Sequence, residues 1–207
     1  MSAPTILEEK YWDAGRDVIG CDEVGRGCLA GPVVCCAVSF HRNRPLEAND
    51  SKKVSPANRK LYCTNIEMRS RYHVASRSAR QVDDMNVLAA SLDGMKEAVV
   101  ALVAAHGLEN PIVLVDGNRE IPDLPFEQKC LTKGDSKSRS IAAASIVAKV
   151  YRDDFMVLLD RITGTKYSLC SHKGYPSKAH YEALEAHGPS GFHRRSFRLS
   201  GGYKKTK

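Results

Sequence analysis

The chain has no uninterrupted apolar run near the ~20 residues that cross a bilayer, and no basic segment leading into an apolar one at its start. It has no Cys-x-x-Cys pair, no internal repeat and no low-complexity linker. The first two absences argue against membrane insertion and secretion, so a cytoplasmic protein with no membrane partner is expected. The seven cysteines, Cys21, Cys28, Cys35, Cys36, Cys63, Cys130 and Cys170, are an odd number set mostly in apolar segments. That pattern argues for buried thiols rather than zinc or disulfides. Cys28 abuts a glycine turn, but no histidine lies near it in sequence, which sets a thiol nucleophile aside.

The 207 residues suffice for one sizeable domain, and hydrophobic and charged fractions of 43% and 27% are those of an ordinary globular chain. A net charge of +7 favours an anionic partner. The cations cluster at Lys52-Lys53, at Lys133 to Arg139 and from His193 to the end, where a polyanion could bridge them.

The most informative segment is Asp22-Glu23-Val24-Gly25-Arg26-Gly27. Carboxylates are hard oxygen ligands for Mg²⁺ or Mn²⁺, glycines let a sugar-phosphate approach backbone N–H groups, and arginine forks onto phosphate oxygens. By itself an acid pair beside a glycine turn is usually a solvated junction. Further acids in comparable places change the balance: Asp116 after Val113-Leu114-Val115, and Asp135 in Lys133-Gly134-Asp135-Ser136.

The pattern predicts a strand over about 17–23 and a hairpin partner over 32–40. Ser55-Pro56 starts a helix to about Arg69, and a strand follows near Tyr72 to Ala79. Asp83 is expected to cap the longest helix, whose stripe of Leu88, Leu92, Met95, Val99, Leu102 and Val103 runs to about Ala105 before Gly107 stops it. Short strands are expected at 112–115 and 126–131, and helices at 138–160 and 177–187. Ala142 to Ser145 would let the first of these helices press on its neighbours. Successive strand residues face opposite ways, so Asp22 and Glu23 can share a site only if the strand twists or ends there. The outcome is a mixed-sheet α/β domain with acids at strand ends.

On these motifs the chain resembles the bacterial type 2 ribonucleases H, the ribonuclease HII family. The resemblance runs from Val18 to Val34, through Asp50-Ser51-Lys52-Lys53, Val115-Asp116-Gly117-Asn118, Lys133-Gly134-Asp135-Ser136, Ile141 to Asp153 and Gly174-Tyr175-Pro176-Ser177-Lys178, to His193-Arg194-Arg195-Ser196-Phe197. It implies a ribonuclease H-like mixed β-sheet flanked by helices, with a helical C-terminal part. One catalytic domain would span 1–200 and a basic tail 201–207. It implies an endoribonuclease, acting as a monomer, that hydrolyses RNA in RNA/DNA hybrids. The same enzyme would nick 5′ of single ribonucleotides in duplex DNA, leaving 5′-phosphate and 3′-hydroxyl ends.

Carried over by position, the catalytic metal ligands would be Asp22, Glu23, Asp116 and Asp135, holding two Mg²⁺ or Mn²⁺ ions with substrate. Asp153 competes for the fourth place. Substrate contacts would come from Gly25, Arg26 and Gly27, from Lys52 or Lys53, from Tyr175 on a neighbouring deoxyribose, and from Arg194 and Arg195. The last two could equally pair with surface acids. Ser136, Ser140 and Ser145 could donate to phosphate or backbone. The sister type, ribonuclease HIII, resembles the chain less, lacking arginine in the glycine turn. A non-catalytic nucleic-acid-binding module, and a nuclease or strand transferase acting on DNA junctions, are the rival readings.

Overall fold

A computed structural model describes residues 6–42 and 55–200. In chain order the elements are α1 (Ile6–Asp13), β1 (Val18–Val24), β2 (Val33–Phe40), α2 (Pro56–Arg69), β3 (Ser70–Arg77), α3 (Ala79–Met85), α4 (Val87–His106), β4 (Ile112–Asp116) and β5 (Glu127–Leu131). A single 3₁₀ turn, Gly134–Ser136, leads to α5 (Arg139–Ile162), α6 (Leu169–His172) and α7 (Lys178–His187). The five strands form one sheet in the order β3-β2-β1-β4-β5. β1, β2 and β3 pair antiparallel, whereas β4 lies parallel to both β1 and β5.

Strand alternation splits the core in two. Val18, Ile112 and Leu114 face α5 and α1, packing on Ile141 to Ala144. Ile19, Cys21, Val113 and Val115 face α4, whose Met95, Val99 and Leu102 supply the expected apolar stripe. A third cluster, with Leu29, Met156, Leu159, Tyr167, Leu169 and Leu184, fastens the C-terminal helices to the sheet end that carries the glycine turn.

α5 sits unusually close to β1. A Cβ added to Gly20 would overlap the backbone of Ser140 and Ile141, so glycine on the strand and small residues on the helix together set the approach. Glu8, fully buried on α1, ties this end down by accepting from Ser138 Oγ at 2.6 Å and from the Ser140 amide at 2.9 Å.

Most element ends follow the capping signals. Ser55 caps α2 with Pro56 in its first turn, Ser138 caps α5, Ser177 caps α7, and left-handed Gly107 stops α4. Asp83 is the exception. Ser78 and Gln81 form a capping box for a separate short helix, and Asn86 caps α4. Asp83 lies inside α3, and its carboxylate accepts from the Arg195 amide at 2.7 Å and the Ser196 amide at 2.9 Å. The longest helix is α5, with 24 residues against 20 for α4. Cys21, Cys28, Cys35, Cys36 and Cys63 are buried thiols as expected; Cys130 is partly buried and Cys170 exposed. Among the described residues no helix is long and apolar enough to cross a membrane.

Candidate active site

Parallel pairing of β1 with β4 builds the site. The register matches Val18 with Ile112, Gly20 with Leu114 and Cys21 with Val115. One step further along each strand stand Asp22 and Asp116, by alternation on the same α5-facing side. Glu23 leaves β1 on the opposite side, yet at the strand's end it lines the same cleft. That cleft, about 360 Å³, is bordered by Asp22, Glu23, Asp116, the Gly25-Arg26-Gly27 turn, Tyr175, Ser145, Lys149 and Arg59.

Burial pushes the Asp22 carboxyl well above the usual carboxylate range, and the charges of Glu23 and Asp116 add to the rise. A hydrogen bond from Ser145 and one from the Glu23 amide, at 2.7 Å, only partly oppose it. Glu23 is raised as well, mainly by burial, against the pull of Arg26, whose Nη1 lies 3.2 Å from Glu23 Oε1. Three acids on one cleft, presenting only oxygen donors and with Asp22 and Glu23 both resisting ionisation, suit a hard divalent cation. As the side chains stand, no three His, Cys, Asp or Glu groups among the described residues surround a common point. Glu23 is turned to Arg26, and Asp116 Oδ1 accepts from the Gly134 amide at 2.6 Å.

Asp135 follows Gly134 in the 3₁₀ turn and is buried, behind the bond to Asp116 rather than on the cleft wall. Asp153, its rival, pairs with Lys149 at 2.7 Å one turn along α5 and does not line the cleft.

The glycine turn has two different glycines. Gly25 takes φ +96°, and a Cβ there would run into Arg152 and the Pro32 carbonyl. Gly27 has an ordinary φ and open space around it, so it leaves room for an incoming group. Behind the turn, Arg152 is fully buried and donates to the carbonyls of Pro32, Ala30 and Lys173. Tyr175 stands on this platform, its ring 5.6 Å from both Arg152 and Lys149. Burial, and then the neighbouring Cys28, push its phenol up to about 12, so the hydroxyl keeps its proton at neutral pH. Burial likewise raises the Cys28 thiol, which leaves it poorly suited to act as a nucleophile.

Arg194 departs from the expected duplex contact. It is fully buried, donating to Gly31 O at 3.0 Å and Arg26 O at 2.8 Å, and burial lowers it to about 10. It holds the glycine turn from inside. Arg194→Ala should cost about 2 kcal/mol in urea unfolding, from the carbonyls left unpaired, without changing the salt slope of nucleic-acid binding. Arg195 is exposed and bonds to Pro189 O, which leaves it on the surface. Lys52 and Lys53 lie outside the described residues. Sequence reading missed Arg59 and Lys149 as cleft residues; Lys149 stood within a recognised motif, whereas Arg59 carried no signal. A larger apolar groove of about 450 Å³ opens beside Tyr151, Phe155 and Phe192, but no acid lines it.

Solved structures similar to this one in fold include two ribonucleases. The ribonuclease HII of Archaeoglobus fulgidus, solved in complex with PCNA, superposes with a TM-score of 0.71 at 26% identity, covering 90% of this chain and 98% of that one. Bst-RNase HIII in complex with Mn²⁺ is alike in fold, with a TM-score of 0.71 at 23% identity, covering 84% and 63%. Fold and cleft together define a hydrolytic nuclease of the ribonuclease H-like class. The family model described as Ribonuclease HII matches residues 19–200. A curated ribonuclease HII of Zymomonas mobilis is 44% identical over 198 residues, 95% of this chain and 91% of its relative. The chain belongs to the ribonuclease HII family, and it is a ribonuclease H-type endonuclease.

Proposed function

We propose that this enzyme hydrolyses the RNA strand of RNA/DNA hybrids and nicks on the 5′ side of single ribonucleotides in duplex DNA, leaving 5′-phosphate and 3′-hydroxyl ends. The observation that carries this reading is the convergence of Asp22, Glu23 and Asp116 on one cleft with an open glycine turn and Tyr175 on its rim. Such a substrate is found where the chromosome is, which favours the cytoplasm.

Asp22, Glu23, Asp116 and Asp135 would hold Mg²⁺ or Mn²⁺, in keeping with the Mn²⁺ complex of the RNase HIII relative. A pair of such ions, when bound, supplies an activated water and charge stabilisation for the leaving 3′ oxygen. The chain's own groups do the rest. Arg26, whose side chain is nearly half exposed, can exchange Glu23 for a phosphate oxygen, which frees Glu23 to turn inward. Backbone at Gly25 to Gly27 reads the 2′-hydroxyl, the group that separates ribose from deoxyribose. Tyr175, held protonated, packs its ring on the adjoining sugar and donates its O–H, while Lys149 and Arg59 face the backbone phosphates.

Duplexes of one sequence carrying zero, one or four ribonucleotides, incubated with the enzyme and Mn²⁺, should be cut only where ribose is present. The nick should map to the 5′ side of a lone ribonucleotide. Equal cutting of the all-DNA duplex would remove the 2′-hydroxyl reader. Asp135→Asn should abolish cutting, whereas Asp153→Asn, which loses only its pair with Lys149, should not; the opposite result would move the fourth ligand to Asp153.

A further inference from the structure

Three histidines, His180 and His193 buried and His172 half-buried, lie behind Tyr175 and take no part in the chemistry above. His180 on α7 and His193 after it are 0% and 2% exposed, and their Nε2 atoms are 3.0 Å apart. His172, at the end of α6, stacks on His180 with ring centroids 4.4 Å apart.

The hydrogen-bond directions are forced at both ends, because an amide can only donate and a carbonyl only accept. The Ser190 amide donates to His193 Nδ1 at 3.0 Å, so that nitrogen is bare and the proton of His193 sits on Nε2. His193 Nε2–H then donates to His180 Nε2. The proton of His180 must therefore be on Nδ1, where it donates to the Tyr175 carbonyl at 3.1 Å. His172 is fixed in the same way: its Nδ1 accepts from the Gly174 amide at 3.2 Å and its Nε2 donates to Tyr167 O at 2.9 Å. A metal between His180 and His193 does not fit this pattern, since each ring's other nitrogen is already engaged by backbone.

The chain of bonds joins two parts of the proposed substrate surface. At one end His193 forms a bridge with Ala30, and the Arg194 amide donates to Leu29 O at 2.8 Å, just past the glycine turn. At the other end stands Tyr175, whose segment is also pinned by Leu29 N to Gly174 O at 2.8 Å and by Arg152 to Lys173 O at 2.8 Å.

We propose that His180 and His193 are positioning residues: a neutral pair of fixed tautomers that latches Tyr175 to the Leu29-Ala30 segment following the glycine turn and so sets the grip on the ribonucleotide junction. The proposal rests on the functional reading above for its consequence, but not for its geometry. A proton added to either ring must break a bond of the latch, since it would place two donors face to face at Nε2 or against the Ser190 amide. The groups facing the pair are His172, the Tyr167 ring, 4.8 Å from His193, and Arg195, with Asp160 and Lys173 acting on His172. Burial lowers both His180 and His193 to about 4, which keeps the latch neutral at working pH.

The ¹⁵N imidazole spectrum of the full-length enzyme tests the latch directly. At pH 7 His180 should carry its proton on Nδ1 and His193 on Nε2, with neither ring charging near the ordinary value of about 6.5. A ring titrating there, or the reverse tautomers, would overturn the proposal whatever the activity. In kinetics, His180→Phe should raise KM for the single-ribonucleotide duplex about tenfold, the equivalent of one hydrogen bond, with kcat changed less than about twofold. His180→Asn, which keeps an N–H where Nδ1 was, should recover most of that loss, a rescue that mere packing would not give. An unchanged KM in folded His180→Phe sinks the idea. If that variant does not fold, the spectra and His180→Asn decide. If the wild type cuts no ribonucleotide duplex, the functional reading falls, and His193→Phe still tests the latch through the tautomer of His180 and the shift of the Tyr175 ring signals.

Discussion

Asp22→Asn should reduce cleavage by about a thousandfold or more while making the protein more heat-stable, not less. The loss follows from removing a central oxygen ligand: about 4 kcal/mol of transition-state stabilisation corresponds to that factor. The gain follows from the electrostatics. Asp22 is buried beside Glu23 and Asp116, and its folded-state pKa stands well above the unfolded value. The native protein thus holds the Asp22 proton more tightly than the unfolded chain does. The stability this confers is full below the ordinary carboxylate range of about pH 4 and is lost as pH rises through the folded pKa. Above the ordinary carboxylate range the native state must either retain a proton that the unfolded chain has released or bury a charge, and a neutral amide removes that cost. Melting curves should show the variant's advantage at neutral pH and its disappearance in acid. Added Mn²⁺ should raise the wild-type Tm, because it binds the native site alone, and should leave the variant nearly unmoved. Lower neutral-pH stability in Asp22→Asn, or an equal response to Mn²⁺, would show that these acids do not form a strained cation site.

Gly20→Ala should be among the most damaging single-methyl changes available in this chain. Extra methylenes in a core usually cost about 1–3 kcal/mol, because side chains can turn aside. At Gly20 the added carbon meets main chain, the Ser140 carbonyl carbon and the Ile141 nitrogen, which move only if the start of α5 moves. About 3–5 kcal/mol is expected, lowering Tm by about 10 °C in a domain of this size. Activity should fall as well, since α5 carries Ser145 and Lys149 to the cleft. Gly27→Ala is the contrasting case. Its Cβ meets nothing within the fold, so stability should change by less than about 0.5 kcal/mol while ribonucleotide binding suffers. A urea midpoint for Gly20→Ala within experimental scatter of the wild type would mean that helix and strand are farther apart than described.

Local signals were well written in the sequence. Ser55-Pro56, Ser138, Ser177 and Gly107 each mark an element end that the fold respects, because a cap is made with atoms three or four residues away. Asp83 misled because its carboxylate serves amides more than a hundred residues distant, while Ser78 and Asn86 do the nearby capping. Arg194 misled for a related reason. An arginine in a basic cluster reads as a surface cation, and only the packing of the C-terminal segment against Gly31 turns it inward. Glu8 gave no sequence signal at all, since nothing local shows that α1 will deliver a carboxylate to the start of α5.

The sequence by itself determined the chemistry on offer: oxygen ligands at strand ends, a turn without side chains, a basic surface, and a stretch of small residues able to lie flat on a sheet. Those properties depend on residue type and on neighbours within one or two turns. Only the tertiary structure decided which acids meet. Asp22 and Asp116 are 94 positions apart and become neighbours through the parallel register of β1 and β4, a pairing set by two hydrophobic faces being covered at once. It also decided that Asp135 stands behind Asp116, that Tyr175 is backed by buried arginine and histidine, and that those histidines are neutral, because each depends on which groups long-range packing removes from water.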